Sequence, residues 1–313
     1  MSTAWIMLIA IGLDAALSWP ATIYARIGHP VTWIGALISR LEARLNQGAA
    51  RRAKGVLTAA LVIGIAGGLA AVVEMSVNGI VSNKAQSALF LGLFAWPFIA
   101  TRSMYDHVKA VATPLTKGDL AAARLAVSMI VGRDPSALNE AGVSRAALES
   151  LAENTSDGIV APIFWGLVAG LPGIVAYKAI NTLDSMIGHR TERYEAFGWA
   201  SARIDDLVNL IPARLTGLLF ALVSPHPRAS WAAMMRDAKH HRSPNAGWPE
   251  AAMAGALRVR LSGPRAYNGK IAQERWVNEA GADPEAADLA RGLRLYVRAM
   301  VVMALGVACL VGI

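Results

Sequence analysis

Apolar positions along the chain gather into long uninterrupted runs rather than narrow amphipathic stripes. Residues 4–23 (WIMLIAIGLDAALSWPATIY), 55–81, 85–101 and 295–313 are four such runs. Each approaches the roughly 20 apolar residues that cross a bilayer as a helix. Glu74 is the only charge in the second run. Two more runs are interrupted: 158–176 by Pro162, Pro172 and glycines, and 207–224 by Asn209, Pro212 and Arg214. A charge at the centre of a span costs about 2.5–3.5 kcal/mol on insertion scales. Broken helices persist at membrane depth only where protein or a wet cavity covers them. The pattern therefore predicts an all-α integral membrane protein, a single polytopic domain over 1–313. It has about four full transmembrane helices, two broken or re-entrant apolar helices and helical cytoplasmic segments. The first run lacks a basic leader and is expected to stay uncleaved.

Between the runs lie polar segments 26–54, 102–157, 178–205 and 225–294. Residues 118–132 and 144–156 alternate Ala, Leu and charge at helical spacing, with Ser144 placed to cap the second helix. Residues 262–294 read as partly helical, with turn signals at Gly263-Pro264 and Asp283-Pro284. No strand pattern or repeat is evident.

Charge sets the expected orientation. The segment 26–54 carries Arg26, Arg40, Arg44, Arg51, Arg52 and Lys54 against Glu42 alone, so the positive-inside rule places it in the cytoplasm. Residues 225–294 carry eleven Lys or Arg and read the same way. Loop charge by itself leaves 178–205 open, outside if both broken runs cross and cytoplasmic if neither does; its many candidate ligands place it, like 102–157 and 225–294, in the cytoplasm, so that 158–176 and 207–224 dip into the membrane or cross it incompletely. The expected location is the cytoplasmic (inner) membrane, with the active site facing the cytoplasm.

Composition agrees with a bilayer protein. Hydrophobic residues make up 55% of the 313 and charged residues 17%, with mean hydropathy +0.41. Soluble domains carry about 25% charge. The 30 Lys and Arg against 22 Asp and Glu give +8, which the basic loops account for. No nucleic-acid motif accompanies it, so no nucleic-acid partner is expected. Cys309 is the single cysteine, which excludes an internal disulfide.

Candidate chemistry is concentrated between Arg133 and Glu250. Glu149, Glu153 and Asp157 recur at i, i+4 and i+8, which lines three carboxylates along one helix face. The row reads as a magnesium site, since Mg²⁺ takes a few carboxylates plus substrate phosphates. The alternative is a solvated face paired with Arg145. Lys178, Asn181, Asp184 and Ser185 follow at near-helical spacing, where Lys178 could hold a phosphate and Asp184 a metal or an amine. The alternative there is an amphipathic interfacial helix. Arg203, Asp205, Asp206, Asn209 and Arg214 stand beside or inside an apolar run, with Asp205 and Asn209 on one face. Such groups at membrane depth are functional by default, against an Asp–Arg structural pair. In HRSPNAGWPEAAMAGAL, Pro249 suits the first helical position, and backbone N–H groups there could take a phosphate or carboxylate. Walker A, metalloprotease and nucleophile-elbow motifs are absent.

Taken together, LDAALSWPA, GHPVTWIGALISRLE, GRDPSALNEAGVSRAALESLAENTSDGIVAPIFW, AYKAINTLDSMIGHRTERYEAFGWASARIDDLVNLIPARLTG and HRSPNAGWPEAAMAGAL resemble the CbiB/CobD family, the adenosylcobinamide-phosphate synthases of cobalamin biosynthesis. The match runs in family order from Leu13 to Leu257, and is weakest over 48–117 and after Gly263. Many members carry Gly-Asp-Pro where this chain has Ser18-Trp19-Pro20, so that position receives no role.

The resemblance implies an ATP-dependent acid–amine ligase. It would join (R)-1-amino-2-propanol or its O-phosphate to the free propionate of adenosylcobyric acid through an acyl phosphate. It implies ATP and Mg²⁺, the lipid bilayer, and other enzymes of the corrinoid pathway as partners. Carried over, the catalytic set is Glu149, Glu153, Lys178, Asp184 and Asp205. The substrate-binding set is His29, Asn154, Asn181, Arg203, Arg214, His241, Arg242, Ser243, Asn245 and Trp248. The metal set is Glu153, Asp157, Asp184 and Asp206. Trp165, Trp199 and Trp248 are candidates to stack on adenine or cover the corrin. Two competing readings are a corrinoid or amine transporter, which the broken helices favour, and an AmpE-like non-catalytic signalling protein. ATP hydrolysis dependent on cobyric acid would separate the enzyme from both.

Overall fold

The computed structural model describes residues 3–132, 134–267, 270–272 and 274–312. Its helices, in chain order, begin with α1 (Thr3–Leu17), α2 (Ala21–Ile27), α3 (Pro30–Leu45), α4 (Arg51–Ile80), α5 (Lys84–Ala95), α6 (Thr101–Leu115) and α7 (Leu120–Ser128). They continue with α8 (Glu140–Thr155), α9 (Ala161–Ile187), α10 (Trp199–Val208), α11 (Leu210–Val223), α12 (Pro227–Asp237), α13 (Gly247–Leu257) and α14 (Ala286–Cys309). Among the described residues, four helical stretches are long and apolar enough to cross a membrane: Arg51–Ile80, Lys84–Leu115, Glu140–Ile187 and Ala286–Cys309. Two interrupted pairs, α1 with Ala21–Leu45 and α10 with α11, pass the same test jointly. The all-α membrane architecture stands.

The chain packs as two compact units: residues 1–100, 161–209 and 306–313 form the first, and 101–160 and 210–305 the second. In the first unit the run 4–23 is not one helix. The chain breaks at Ser18, whose φ is 52°, and at Pro20, which has no N–H to donate. The following helices turn away by 107°.

The interrupted run 158–176 breaks at Ala169–Gly170, where φ is −136° and +64°, and not at either proline. The left-handed φ of Gly170 suits glycine. The corner is sharp: a Cβ on Gly173 would sit 2.2 Å from the carbonyl oxygen of Trp165. Glu74, the lone acid of α4, accepts the Leu171 N–H at 2.8 Å. It thereby satisfies a helix-start donor that finds no water in the bilayer core.

Beyond the corner α9 runs antiparallel to α4. Gly170 meets Glu74, Ala176 meets Gly67, and Phe197 meets Gly55. The last contact brings loop 188–198 onto the start of α4. Arg193 reaches Glu42 with two hydrogen bonds of 2.9 Å, and Arg52 lies 3.8 Å over the Trp199 ring. Loop 188–198 and the basic loop after α3 therefore lie together at one end of this unit. If 26–54 is cytoplasmic, as the positive-inside rule expects, a cysteine at Glu192 in a Cys309→Ser background should resist an impermeant thiol reagent in intact cells and react in inverted vesicles. Robust labelling of intact cells would overturn this orientation.

In the second unit α13 is buried along almost its whole length, with Glu250 its one charge, and packs among α8, α11 and α12. Ser230 Oγ donates to the Ala252 carbonyl at 2.7 Å, joining α12 to α13, and Tyr296 Oη donates to the Thr101 carbonyl at 2.7 Å, joining α14 to α6. Several local expectations are corrected here. Ser144 lies inside α8, and Asn139 caps it by accepting the Gly142 N–H at 2.9 Å. Pro249 is the third residue of α13, which begins at Gly247. Short antiparallel strands also occur where none was expected: β1 (Leu261–Ser262), β2 (Arg265–Tyr267), β3 (Lys270–Ala272) and β4 (Trp276–Val277), paired β1 with β4 and β2 with β3. They are two or three residues long, too short to show a period in sequence. Trp276 lies under the guanidiniums of Arg145 and Arg260, at 4.6 and 4.3 Å. Both arginines pair with Asp283, whose carboxyl is held below its usual range chiefly by the Arg260 hydrogen bonds.

Candidate functional site

The densest convergence of expected residues lies in the first unit. The second half of α9 carries Lys178, Asn181 and Asp184 on successive turns, and α10 brings Asp205 and Asp206 against them. Asp205 is 9% exposed and lies within electrostatic reach of both Asp184 and Asp206, with Asn181 alongside. Its placement rests on a buried chain: Tyr177 Oη donates to Asn209 Oδ1 at 2.8 Å, and Asn209 Nδ2 donates to Asp205 Oδ2 at 3.0 Å. Asp205 Oδ1 is buried and has no hydrogen-bond partner among the described residues. Asp206 pairs with Arg203 at 3.2 Å, the Asp–Arg pair that the sequence offered as an alternative. Lys178 Nζ lies 3.4 Å from Asn181 Oδ1, and Ser185 Oγ donates to the Asn181 carbonyl.

His29 joins this group within charge–charge range of Lys178. It also caps α3, its Nδ1 accepting the Val31 N–H at 3.2 Å. The Trp19 ring meets the His29 ring edge-on at 5.1 Å. Trp19, a position given no role from sequence, thus sets an indole against His29.

The second unit holds another constellation. Glu149 (6% exposed) accepts the Ser262 N–H at 2.6 Å, and Ser262 Oγ lies 3.4 Å from Glu250 Oε2. Glu250 Oε1 stands 3.7 Å from His241 Nε2, while His241 Nδ1 accepts the Ser243 N–H at 3.1 Å. Ser243 Oγ in turn accepts the N–H groups of Asn245 and Ala246 at 3.2 Å, which shapes the approach to α13. Arg214 lies over the Trp248 ring at 4.4 Å and donates to the Leu210 carbonyl. A cleft of about 520 Å³ opens beside this group, lined by Asp237, His240, His241, Arg242, Ser262, Glu274, Arg275 and Trp276. Burial alone would raise the Asp237 carboxyl, but the Arg236 hydrogen bonds and the Asn278 N–H outweigh it and hold it low. Arg242 faces Glu274 across 3.8 Å.

The row of Glu149, Glu153 and Asp157 does not share one environment. Glu149 is buried, Glu153 exposed and Asp157 half-buried. A π turn over Ser156–Val160 widens the helix there and takes Asp157 out of simple i, i+4 succession. Asn154 bonds back to the Ser150 carbonyl at 2.9 Å. Among the described residues, no three His, Cys, Asp or Glu side chains are grouped so as to hold a metal ion by themselves. The three candidate stacking tryptophans are engaged within the chain: Trp165 donates to the Val208 carbonyl, Trp199 lies under Arg52 and Trp248 under Arg214.

Tyr177, Glu250, Ser262 and Asp237 escaped the sequence reading. Tyr177 and Glu250 adjoin residues already singled out, so proximity in sequence was the available signal. Ser262 meets Glu149 only through tertiary packing.

The CobD/Cbib protein family model matches residues 7–296. The "Cobalamin biosynthesis protein CobD" of Rhodobacter capsulatus is 65% identical over 306 residues, covering 97% of this chain and 96% of its own. Proteins of the same name from a Sinorhizobium species and from Brucella suis are 45% and 43% identical, each over at least 95% of this chain and 94% of their own. No solved structure matches. With this family model covering nearly the whole chain and with relatives this similar, the chain belongs to the CobD/CbiB family of cobalamin biosynthesis proteins.

Proposed function

We propose that the protein is an ATP-dependent amide ligase. It joins (R)-1-amino-2-propanol, or its O-phosphate, to the free propionate of adenosylcobyric acid at the cytoplasmic face of the inner membrane. The observation that carries this reading is the acid group of the first unit, in which buried Asp205 lies within electrostatic reach of Asp184 and Asp206, with Asn181 against it and Lys178 Nζ 3.4 Å from that Asn181 side chain.

The donor set fits magnesium. Carboxylate and amide oxygens from Asp184, Asp205, Asp206 and Asn181 are hard ligands, and Mg²⁺ commonly takes only one or two carboxylates beside water and phosphate oxygens. Asp184 and Asp206 would hold the ion, leaving Asp205 for proton transfer, and Glu153 and Asp157 are the corresponding candidates in the second unit. When bound, the ion neutralises the nucleotide phosphates and the charge that develops on phosphoryl transfer. Lys178 supplies a point charge for a phosphate or the reacting carboxylate. The attacking amine arrives as an ammonium and must lose a proton, and a buried carboxylate within reach is suited to accept it. Tyr177 and Asn209 hold Asp205 in place for that role. In the second unit, His241, Arg242 and Ser243, at the cleft and the start of α13, are candidates to hold anionic groups of the substrates.

A transporter reading draws on the broken α9, and an AmpE-like signalling role is the third possibility. The test is direct. Purified protein in detergent should convert adenosylcobyric acid, the amine and Mg-ATP to the amide, releasing ADP and phosphate. An unchanged corrinoid with every amine tried, from protein that remains folded, would overturn the assignment.

A further inference from the structure

We propose that Glu42 and Arg193 form a positioning clamp for the acid group of the first unit. Neither is assigned a role by the family motifs, and the idea rests on the ligase reading above.

Glu42 is 7% exposed near the end of α3, and its two carboxylate oxygens accept the Arg193 Nε and Nη2 at 2.9 Å each. The forked geometry is the strongest form of such a pair. The main chain of Arg193 is gripped too: its carbonyl accepts Asn46 Nδ2 at 3.1 Å and also the Arg51 guanidinium. Asn46 closes the network, donating to Glu42 Oε1 at 2.9 Å and accepting Arg51 Nε at 2.7 Å. Side chain and backbone of one loop residue are thus held by the end of α3, the link after it and the start of α4.

That loop joins the two arms of the acid group. It leaves α9 one turn after Asp184, with the Gly188 N–H on the Asp184 carbonyl at 2.8 Å, and enters α10 ahead of Asp205. Gly188 lies so near the carboxylate that a Cβ there would sit 2.0 Å from Asp184 Oδ1. A shift of the loop at Arg193 therefore reaches Asp184 at one end and α10 at the other. Arg193 itself stays 65% exposed at the side chain, so the pair lies at the rim and not among the acids.

The test uses full-length protein in detergent and the variants Glu42→Gln, Arg193→Gln and their double. Backbone hydrogen exchange across 188–198 should rise in each single variant and no further in the double, as expected of coupled partners. This readout is independent of turnover. In amide-forming assays the magnesium concentration for half-maximal rate should rise about 10-fold or more, as for other groups that orient metal ligands, with thermal unfolding little changed. Arg193→Lys keeps the charge but loses the fork, and should show the same rise where Glu42→Gln fails to accumulate. Wild-type exchange in 188–198 together with an unchanged magnesium requirement would overturn the clamp. Absence of amide formation by the wild type would instead count against the ligase reading, and the exchange data would still decide the clamp.

Discussion

Asp205→Asn should lower amide formation by about 10²–10⁴-fold, the range associated with a positioned proton acceptor, while the protein stays folded. The expectation follows from what surrounds the carboxylate. Oδ2 is fixed by Asn209, Oδ1 is buried without a hydrogen-bond partner among the described residues, and Asp184 and Asp206 are within electrostatic reach. Asparagine keeps the shape and can still accept from Asn209, so packing survives. Removing one of three neighbouring acidic groups, of which Asp205 is the most buried, relieves repulsion, so thermal unfolding in detergent should hold or rise. Asp184→Asn should behave alike. Near-wild-type turnover in both variants would remove this group from the chemistry. Attention would then pass to Glu153 and Asp157. Because Glu153 is exposed, Glu153→Gln should change stability by no more than about 0.5 kcal/mol, so a large loss of turnover there would mark function and not folding.

The second large effect is structural. Gly198→Ala should cost the upper end, or more, of the ~1–3 kcal/mol typical of overpacking. A Cβ on Gly198 would lie 1.6 Å from the Ile187 carbonyl oxygen, and one on Gly55 would lie 1.8 Å from that of Phe197. The obstructing atoms are backbone and cannot rotate away. Both substitutions would force loop 188–198 off α9 and α4, so turnover should fall together with thermal stability. Gly64→Ala and Gly79→Ala, where a Cβ meets nothing within 4 Å, serve as near-neutral controls. Equal unfolding temperatures for Gly198→Ala and Gly64→Ala would contradict the close approach.

Much of the architecture was legible because the bilayer imposes it. The run 55–81 became α4, and the run 295–313 became most of α14, since an uninterrupted apolar stretch has few other ways to satisfy its backbone. Breaks were readable as existing but not as placed. Proline marked 158–176 as interrupted, yet the corner formed at Gly170, where positive φ carries little strain and Glu74 supplies the missing acceptor. The acid group was half legible: Asp205 and Asn209 are one turn apart, but Asp184 reaches them only because loop 188–198 folds back. Glu42 and Arg193 are 151 residues apart and show no local pattern. The same holds for Glu149, whose burial depends on Ser262 at the far side of α13. The spacing of Glu149, Glu153 and Asp157 was legible, but not the π turn over Ser156–Val160 or the burial of Glu149 alone, since both depend on tertiary packing.

On the proposed reaction, ATP activates the corrinoid carboxylate for attack by the amine. If the carboxylate oxygen attacks the terminal phosphorus, ADP leaves, and the amine then displaces phosphate from the acyl carbon. The bridging oxygen must depart with that phosphate. Adenosylcobyric acid labelled with heavy oxygen at its free propionate should therefore yield, with Mg-ATP and the amine, one labelled oxygen in inorganic phosphate for each amide formed. Amide formation with unlabelled phosphate, or ATP consumed without any amide while the labelled acid is recovered intact, would contradict the account.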